Sequence, residues 1–199
     1  MQQTAKRTRV VDILNTDNIG RTLTVNGWVR FFRQNRFLLL NDGSTIHNIQ
    51  VVVDYESFDE ALIKKLTTGA AVSATGQVVE SQGSGQAVEI LAETLELLGE
   101  AHPDRVQTTI LQPKAHTLET LREQAHLRFR TNTFGAVFRI RHALAFAVHQ
   151  YFNERGYYNL HTPIITASDA EGAGEMFQVT TLSLDAPPRT EEGGIDYGE

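Results

Sequence analysis

Between positions 21 and 32 the chain alternates. Leu23, Val25, Gly27 and Val29 fall on one parity, and Thr22, Thr24, Asn26 and Trp28 on the other. A period of two is the signature of a strand with one buried face. Residues 37–40 read as a second strand, and Asn41-Asp42-Gly43-Ser44 is a dense turn signal. Residues 49–53, rich in β-branched side chains, form a third strand. The run SFDEALIKKL at 57–66 then reads as a short helix, with Ser57 as N-cap and Glu60 as its capping-box partner. Strands at 71–80 and 88–98 follow, joined by a glycine-rich turn at 81–86. A short apolar element at 10–14 precedes the whole set.

Three strands, a short helix and two strands is the element order of a five-stranded OB barrel. Such barrels bind single-stranded nucleic acid or oligosaccharide on the face of the second and third strands, where aromatic platforms stand beside cations. The corresponding stretch interleaves Arg30, Phe31, Phe32, Arg33, Arg36, Phe37, His47 and Gln50. Alternation alone does not decide which of Phe31 and Phe32 faces outward.

Past the barrel, the segment 99–131 reads as a linker punctuated by Pro103 and Pro113, with a short helix at 118–127. Thr131-Asn132-Thr133 supplies caps for a long helix at 134–155. There Phe134, Val137, Phe138, Leu144, Ala145, Val148, Tyr151 and Phe152 recur at helical spacing on a face interrupted by Arg141. Gly156 is placed to end it. Residues 160–166 read as extended, with Pro163 suiting an edge strand or a strand start. The expected division is therefore 1–100 for the barrel, 101–130 for the linker and 131–199 for a second domain. The acidic, apolar-poor segment after Leu182 is expected to be exposed or disordered.

Composition narrows the function classes. The chain has no cysteine, which excludes disulfides, thiolate metal sites and a cysteine nucleophile. His142 and His149 lie two turns apart without a His-Glu-x-x-His pattern, so no metal site is expected. No run of about eighteen apolar residues and no signal-type apolar core is found, which makes a cytoplasmic location the expectation. Net charge is −6, yet residues 1–36 carry seven basic side chains against two acidic ones, a local +5 that leaves −11 elsewhere. That asymmetry suits a protein meeting a polyanion at one end.

Helix, short turn and Pro163 strand together resemble motif 1 of the class II aminoacyl-tRNA synthetases, an element of their homodimer interface. The run TASDAEGAGEMFQVTTL at 166–182 resembles the asparaginyl members more closely than the aspartyl or lysyl ones. Gly27-Trp28-Val29-Arg30, Phe37-Leu38 with Asn41-Asp42-Gly43-Ser44, and Ile49-Gln50-Val51 are similar to the anticodon-binding OB barrel of this subgroup. The resemblance implies an α+β protein: an OB barrel followed by the first helix and strand of a class II catalytic domain, incomplete here. It implies that Phe37 stacks on the central anticodon base, a uridine in asparagine and aspartate tRNAs, and that Gln50 hydrogen-bonds it. Arg33 matches an anticodon-contacting arginine six residues on from Gly27, and Arg36 competes for that role. Phe138 and Pro163 fall in the implied dimer interface. Glu171 matches the carboxylate that receives the amino acid's α-ammonium, with Glu175 as its neighbour.

The resemblance spans nearly all 199 residues but only the front part of the family. Motifs 2 and 3, whose arginines hold ATP, are not found. A truncated piece of a longer enzyme is therefore expected, one that binds no cofactor itself. The parent would use ATP with Mg2+ to join L-asparagine to tRNA(Asn) as a homodimer. The competing readings are an aspartyl-type enzyme and a non-catalytic OB-fold RNA-binding module. The Glu171 loop separates the second of these, because an anticodon binder has no use for it.

Overall fold

The computed structural model describes residues 6–83, 85–165, 181–183 and 185–196. Five strands, β1 (Thr22–Arg33), β2 (Phe37–Asn41), β3 (Ile49–Val52), β4 (Ala71–Glu80) and β5 (Val88–Gly99), close into a barrel in the order β1-β2-β3-β5-β4. All pairings are antiparallel except β3 with β5, which run parallel through Val51↔Ile90 and Val52↔Leu91. The chain is thus α+β, with the OB strand order expected from the sequence.

The alternation read from the sequence sorts the barrel's two faces. Val25, Val29, Leu38, Leu40, Ile49, Val51, Val72 and Ile90 point inward and are at most 2% exposed. Two short helices complete this core. In α1 (Val10–Ile13), Val10 and Ile13 are fully buried. The Val10 amide donates to Asp42 Oδ2 at 3.1 Å and the Val11 amide to Ser44 Oγ at 3.0 Å. The Asn-Asp-Gly-Ser turn therefore also supplies acceptors to otherwise unpaired amides of α1. In α2 (Glu60–Ile63), Ile63 packs into the core.

The cap of α2 is not Ser57. Asp59 accepts from the Ala61 amide at 3.0 Å, while Ser57 ends a 3-10 turn (Tyr55–Ser57) and donates its hydroxyl to Asp54. A carboxylate next to the first helical turn is the stronger acceptor and complements the helix dipole. That helix is also shorter than 57–66.

β4 and β5 approach closely at Gly76. A Cβ there would lie 1.9 Å from the Leu91 carbonyl oxygen, beside a register shift between Thr75 and Gly76. Only a residue without a side chain lets β5 cross β4 this closely.

Beyond the barrel come α3 (Pro103–Val106), α4 (Leu118–Glu123) and α5 (Asn132–Asn153). Helix α4 stops before the expected residue 127, because Gln124 leaves helical geometry and its side chain bonds the backbone of Thr108 and Ile110. Thr131 caps α5 by accepting from the Phe134 amide at 3.4 Å.

Two compact units are distinguished, Met1–Tyr151 and Phe152–Glu199. In the second, Gly156 has φ +80° and the Tyr157 amide donates to the Phe152 carbonyl at 3.1 Å, the helix stop expected of that glycine. The expected strand at 160–166 does not form: residues 160–165 carry no ladder pairing and are exposed, and Thr166 lies outside the described residues. A strand exists only as one partner of a pair, and no described segment offers itself. Residues 185–196 are mostly exposed, with a small turn closed by an Arg189↔Ile195 bridge.

Replacing Gly76 by alanine forces β4 and β5 apart. We expect a loss of about 3 kcal/mol, the upper end of what overpacking usually costs. Urea unfolding measures it; a midpoint unchanged from wild type would show that the close approach is not required.

Candidate nucleic-acid interface

A bulge decides what the barrel presents to solvent. Along β1 and β2 the register runs Val29↔Leu40 and then Phe31↔Leu39, so Arg30 is an extra residue and the inward parity switches there. After it Phe32 packs against the core, while Phe31 joins the outer face. The bulge therefore resolves the choice that alternation left open.

The outer face is then fixed by pairing. Arg33 stands opposite Phe37, Phe31 opposite Leu39, Leu39 opposite Gln50, and Phe37 opposite Val52. Their in-facing neighbours Leu38, Leu40, Ile49 and Val51 are fully buried, whereas Phe37, Leu39, Gln50 and Val52 are half-buried. Phe37 is therefore a surface platform and not a core residue.

Two arginines border this platform. The Arg33 guanidinium lies 4.1 Å from the Phe31 ring centroid, and that of Arg36 lies 5.7 Å from the Phe37 centroid. They flank a two-residue hairpin turn in which Gln34 (φ 53°) and Asn35 (φ 50°) are both left-handed, closed by the Arg36 amide donating to the Arg33 carbonyl at 3.0 Å. Such turns match the twist of the paired strands. His47 is not brought to the row: it sits in the loop beyond Asn41, at the opposite end of β2.

Gln50 is held from behind. Its Nε2 donates to Glu89 Oε2 at 2.8 Å, and the same oxygen accepts from Ser81 Oγ at 3.2 Å and Gln86 Nε2 at 3.3 Å. Glu89 is 6% exposed. Parallel pairing of Val51 with Ile90 is what sets Gln50 beside Glu89. Sequence reasoning missed Glu89, although a carboxylate between Val88 and Ile90 in a barrel strand is a visible signal.

Arg30 serves another purpose. Its Nη1 donates to the Arg130 carbonyl at 2.7 Å, and the Arg130 guanidinium covers the Trp28 ring at 4.1 Å. Burial and then the neighbouring Arg130 push the Arg30 guanidinium below its ordinary value, which still leaves it charged near neutrality. A cavity of about 510 Å³ opens here, bordered by Trp28, Gly43, Ile46, Phe138 and Arg139, away from the Phe37 platform.

Of the remaining expected site residues, Phe138 lies on α5 with its ring 5.6 Å from the Arg128 guanidinium and stays 39% exposed. Pro163 is exposed. Glu171 and Glu175 lie outside the described residues.

Two family models match. One, described as an OB-fold nucleic acid binding domain, covers residues 23–98, and one for tRNA synthetases class II (D, K and N) covers residues 117–187. The chain is 55% identical over 99% of its length to an asparagine–tRNA ligase of Porphyromonas gingivalis, and 54% identical over 98% to one of Parabacteroides distasonis. It spans 42% of each relative, about two fifths of their length. Among solved structures, the asparaginyl-tRNA synthetase of Pyrococcus horikoshii complexed with asparaginyl-adenylate shares the fold, with a TM-score of 0.75 at 20% identity over 92% of this chain and 42% of that one. With an anticodon-type OB domain matched in front, a synthetase model matched behind, and relatives more than half identical along nearly its whole length, the chain belongs to the class II tRNA synthetases of the D, K and N group.

Proposed function

We propose that this chain is the tRNA-reading and subunit-pairing part of an asparagine–tRNA ligase, which joins L-asparagine to tRNA(Asn) at the expense of ATP, giving AMP and diphosphate. The observation that carries it is the outward row of Phe31, Arg33, Phe37 and Gln50, set in a chain so closely similar to asparagine–tRNA ligases. Phe37 offers a ring face to the central anticodon base, Gln50 an amide to its edge, and Arg33 and Arg36 charge to the flanking phosphates. A stand-alone RNA-binding module would leave residues 117–187 without a use.

We assign 1–100 to anticodon binding, 101–130 to the linker and 131–199 to the start of the catalytic domain, in a cytoplasmic enzyme. Among the described residues no cluster of three or more histidines or carboxylates is arranged to hold a metal. We assign the binding of ATP with Mg2+ to the full-length enzyme.

The row can be tested against folding. Phe37→Ala is expected to weaken binding of an asparagine-tRNA anticodon stem-loop by roughly tenfold to a hundredfold, since base stacking is worth about 1–3 kcal/mol. It should leave the melting temperature nearly in place, whereas Leu38→Ala, fully buried, should cost about 2–5 kcal/mol. A folded Phe37→Ala protein with unchanged affinity would remove the platform.

Pairing of subunits is proposed along α5 and the Pro163 segment. Ile140, Leu144, Phe146 and Val148 are 56–64% exposed on that helix, and Phe138 lies on the same element. A two-fold interface needs a self-complementary apolar surface, which such a helix supplies. Sedimentation of the longer protein should give a dimer; a monomer at micromolar concentration would rule this out.

Glu171 is proposed to receive the α-ammonium of asparagine, on a loop whose Gly172 and Gly174 give it freedom to close. In the longer enzyme Glu171→Gln should preserve tRNA binding and cut asparagine-dependent ATP–pyrophosphate exchange tenfold or more, as bonds to charged groups are worth about 1.5–3 kcal/mol. The 199-residue chain alone should show no exchange. Normal exchange by the variant at subsaturating asparagine would contradict the assignment.

A further inference from the structure

We propose that Arg139 is a positioning residue for tRNA charging: by tying α5 to the Gly43 turn, it sets the angle at which the barrel presents a bound tRNA to the catalytic domain. The inference rests on the ligase reading above and adds to it how the two ends of the reaction are aligned.

The contacts fall on a boundary. Trp28, Arg30 and Gly43 belong to the stretch matched as an OB-fold nucleic acid binding domain, whereas Arg130 and Arg139 belong to the stretch matched as a class II tRNA synthetase. Across it, Arg139 Nη2 donates to the Gly43 carbonyl, while its Nη1 donates to the Gly135 carbonyl on its own helix at 3.1 Å. Beside this clasp, Arg30 Nη1 donates to the Arg130 carbonyl at 2.7 Å, and the Arg130 guanidinium lies 4.1 Å from the Trp28 ring centroid. None of these three arginines forms an ion pair among the described residues, so what they hold is carbonyl and ring geometry and not a partner charge.

Apolar packing does not seal the junction. Ile46, Phe129 and Phe138 border the cavity of about 510 Å³ and stay 39–54% exposed. Side chains facing a void lack partner atoms that would resist rotation, which leaves the angle to the directional bonds. The barrel's end of the Arg139 clasp is rigid. The Gly43 amide donates to Asn41 Oδ1 at 2.8 Å, and Asp42 accepts from the Ser44 amide at 2.9 Å and the Val10 amide at 3.1 Å. The helix's end is held by Gly135, which is buried, with Ile46 and the Phe129 carbonyl oxygen within 4 Å of where a Cβ would stand. A planar guanidinium spans two carbonyls in one fixed geometry, which a lysine ammonium does not.

The angle matters because tRNA carries its anticodon and its 3′ terminus at opposite extremities. A small rotation at the junction becomes a large displacement at the acceptor end, and a misplacement of about 1 Å can cost a hundredfold in rate. Activation of the amino acid involves no tRNA and is indifferent to that angle.

The test uses the longer enzyme with Arg139→Gln, a change on the exposed side of α5. Asparagine-dependent ATP–pyrophosphate exchange and affinity for an isolated anticodon stem-loop should stay within about twofold of wild type, while kcat for charging whole tRNA falls about tenfold or more at little-changed KM. A role in stability alone would not produce that split. Arg139→Lys keeps the charge but not the fork, and should also charge more slowly than wild type; full charging by it would show that charge, not the clasp, is what matters, and would overturn the proposal. Unchanged charging by Arg139→Gln overturns it as well. So does a parallel loss of exchange, which would place the effect inside the catalytic domain, or a loss of stem-loop affinity, which would place it inside the barrel. Wild-type enzyme without asparagine-dependent exchange would instead overturn the ligase reading itself.

Discussion

Everything distinctive in this molecule depends on β5 having two neighbours. Along its length it pairs with β4, and at its start it turns to run parallel with β3, which converts a meander into a closed barrel without free edges. That turn brings Ile90 against Val51, and the next residues outward are Glu89 and Gln50. The contact that shuts the barrel is therefore the one that sets the Gln50 side chain against Glu89. At Gly76 the backbone of β5 comes so near β4 that no side chain fits between them.

The sequence made the core legible because burial in a small barrel follows the pleat. Val25 and Val29 were readable as sharing one face from the alternation along β1, and both are buried. What escaped were features set by a partner strand or by competition between acceptors. The parity switch at Arg30 arises from how β1 and β2 align, which neither strand specifies by itself. Asp59 outcompeted Ser57 as a cap by being nearer the first turn and charged. The Gln50–Glu89 bond spans 39 positions and exists only through a parallel pairing. Conversely, residues 160–165 have strand composition but no strand to pair with among the described residues, so propensity remained unexpressed there.

The outer face and the linker divide the arginines between them. Arg33 and Arg36 stay at the hairpin beside aromatic rings, exposed to any approaching phosphate. Arg30, two strand positions from Trp28, instead binds the carbonyl of Arg130, whose own guanidinium covers that tryptophan. A composition count treats these residues as equivalent; the bulge separates an exposed pair beside aromatic rings from a pair joined through the Arg130 carbonyl and the Trp28 ring.

The bare helix α5 matters also for the order of synthesis. Translation runs from the N-terminus, so in a longer protein carrying this stretch the barrel's last strand emerges at Gly99, well before anything can cover Leu144, Phe146 or Val148. The barrel can close on the ribosome from contacts already in hand. The helix then stays apolar and wet until something covers it. During that interval it presents the kind of surface that holding chaperones bind, and the pace of elongation beyond it governs how long the nascent chain is open to aggregation.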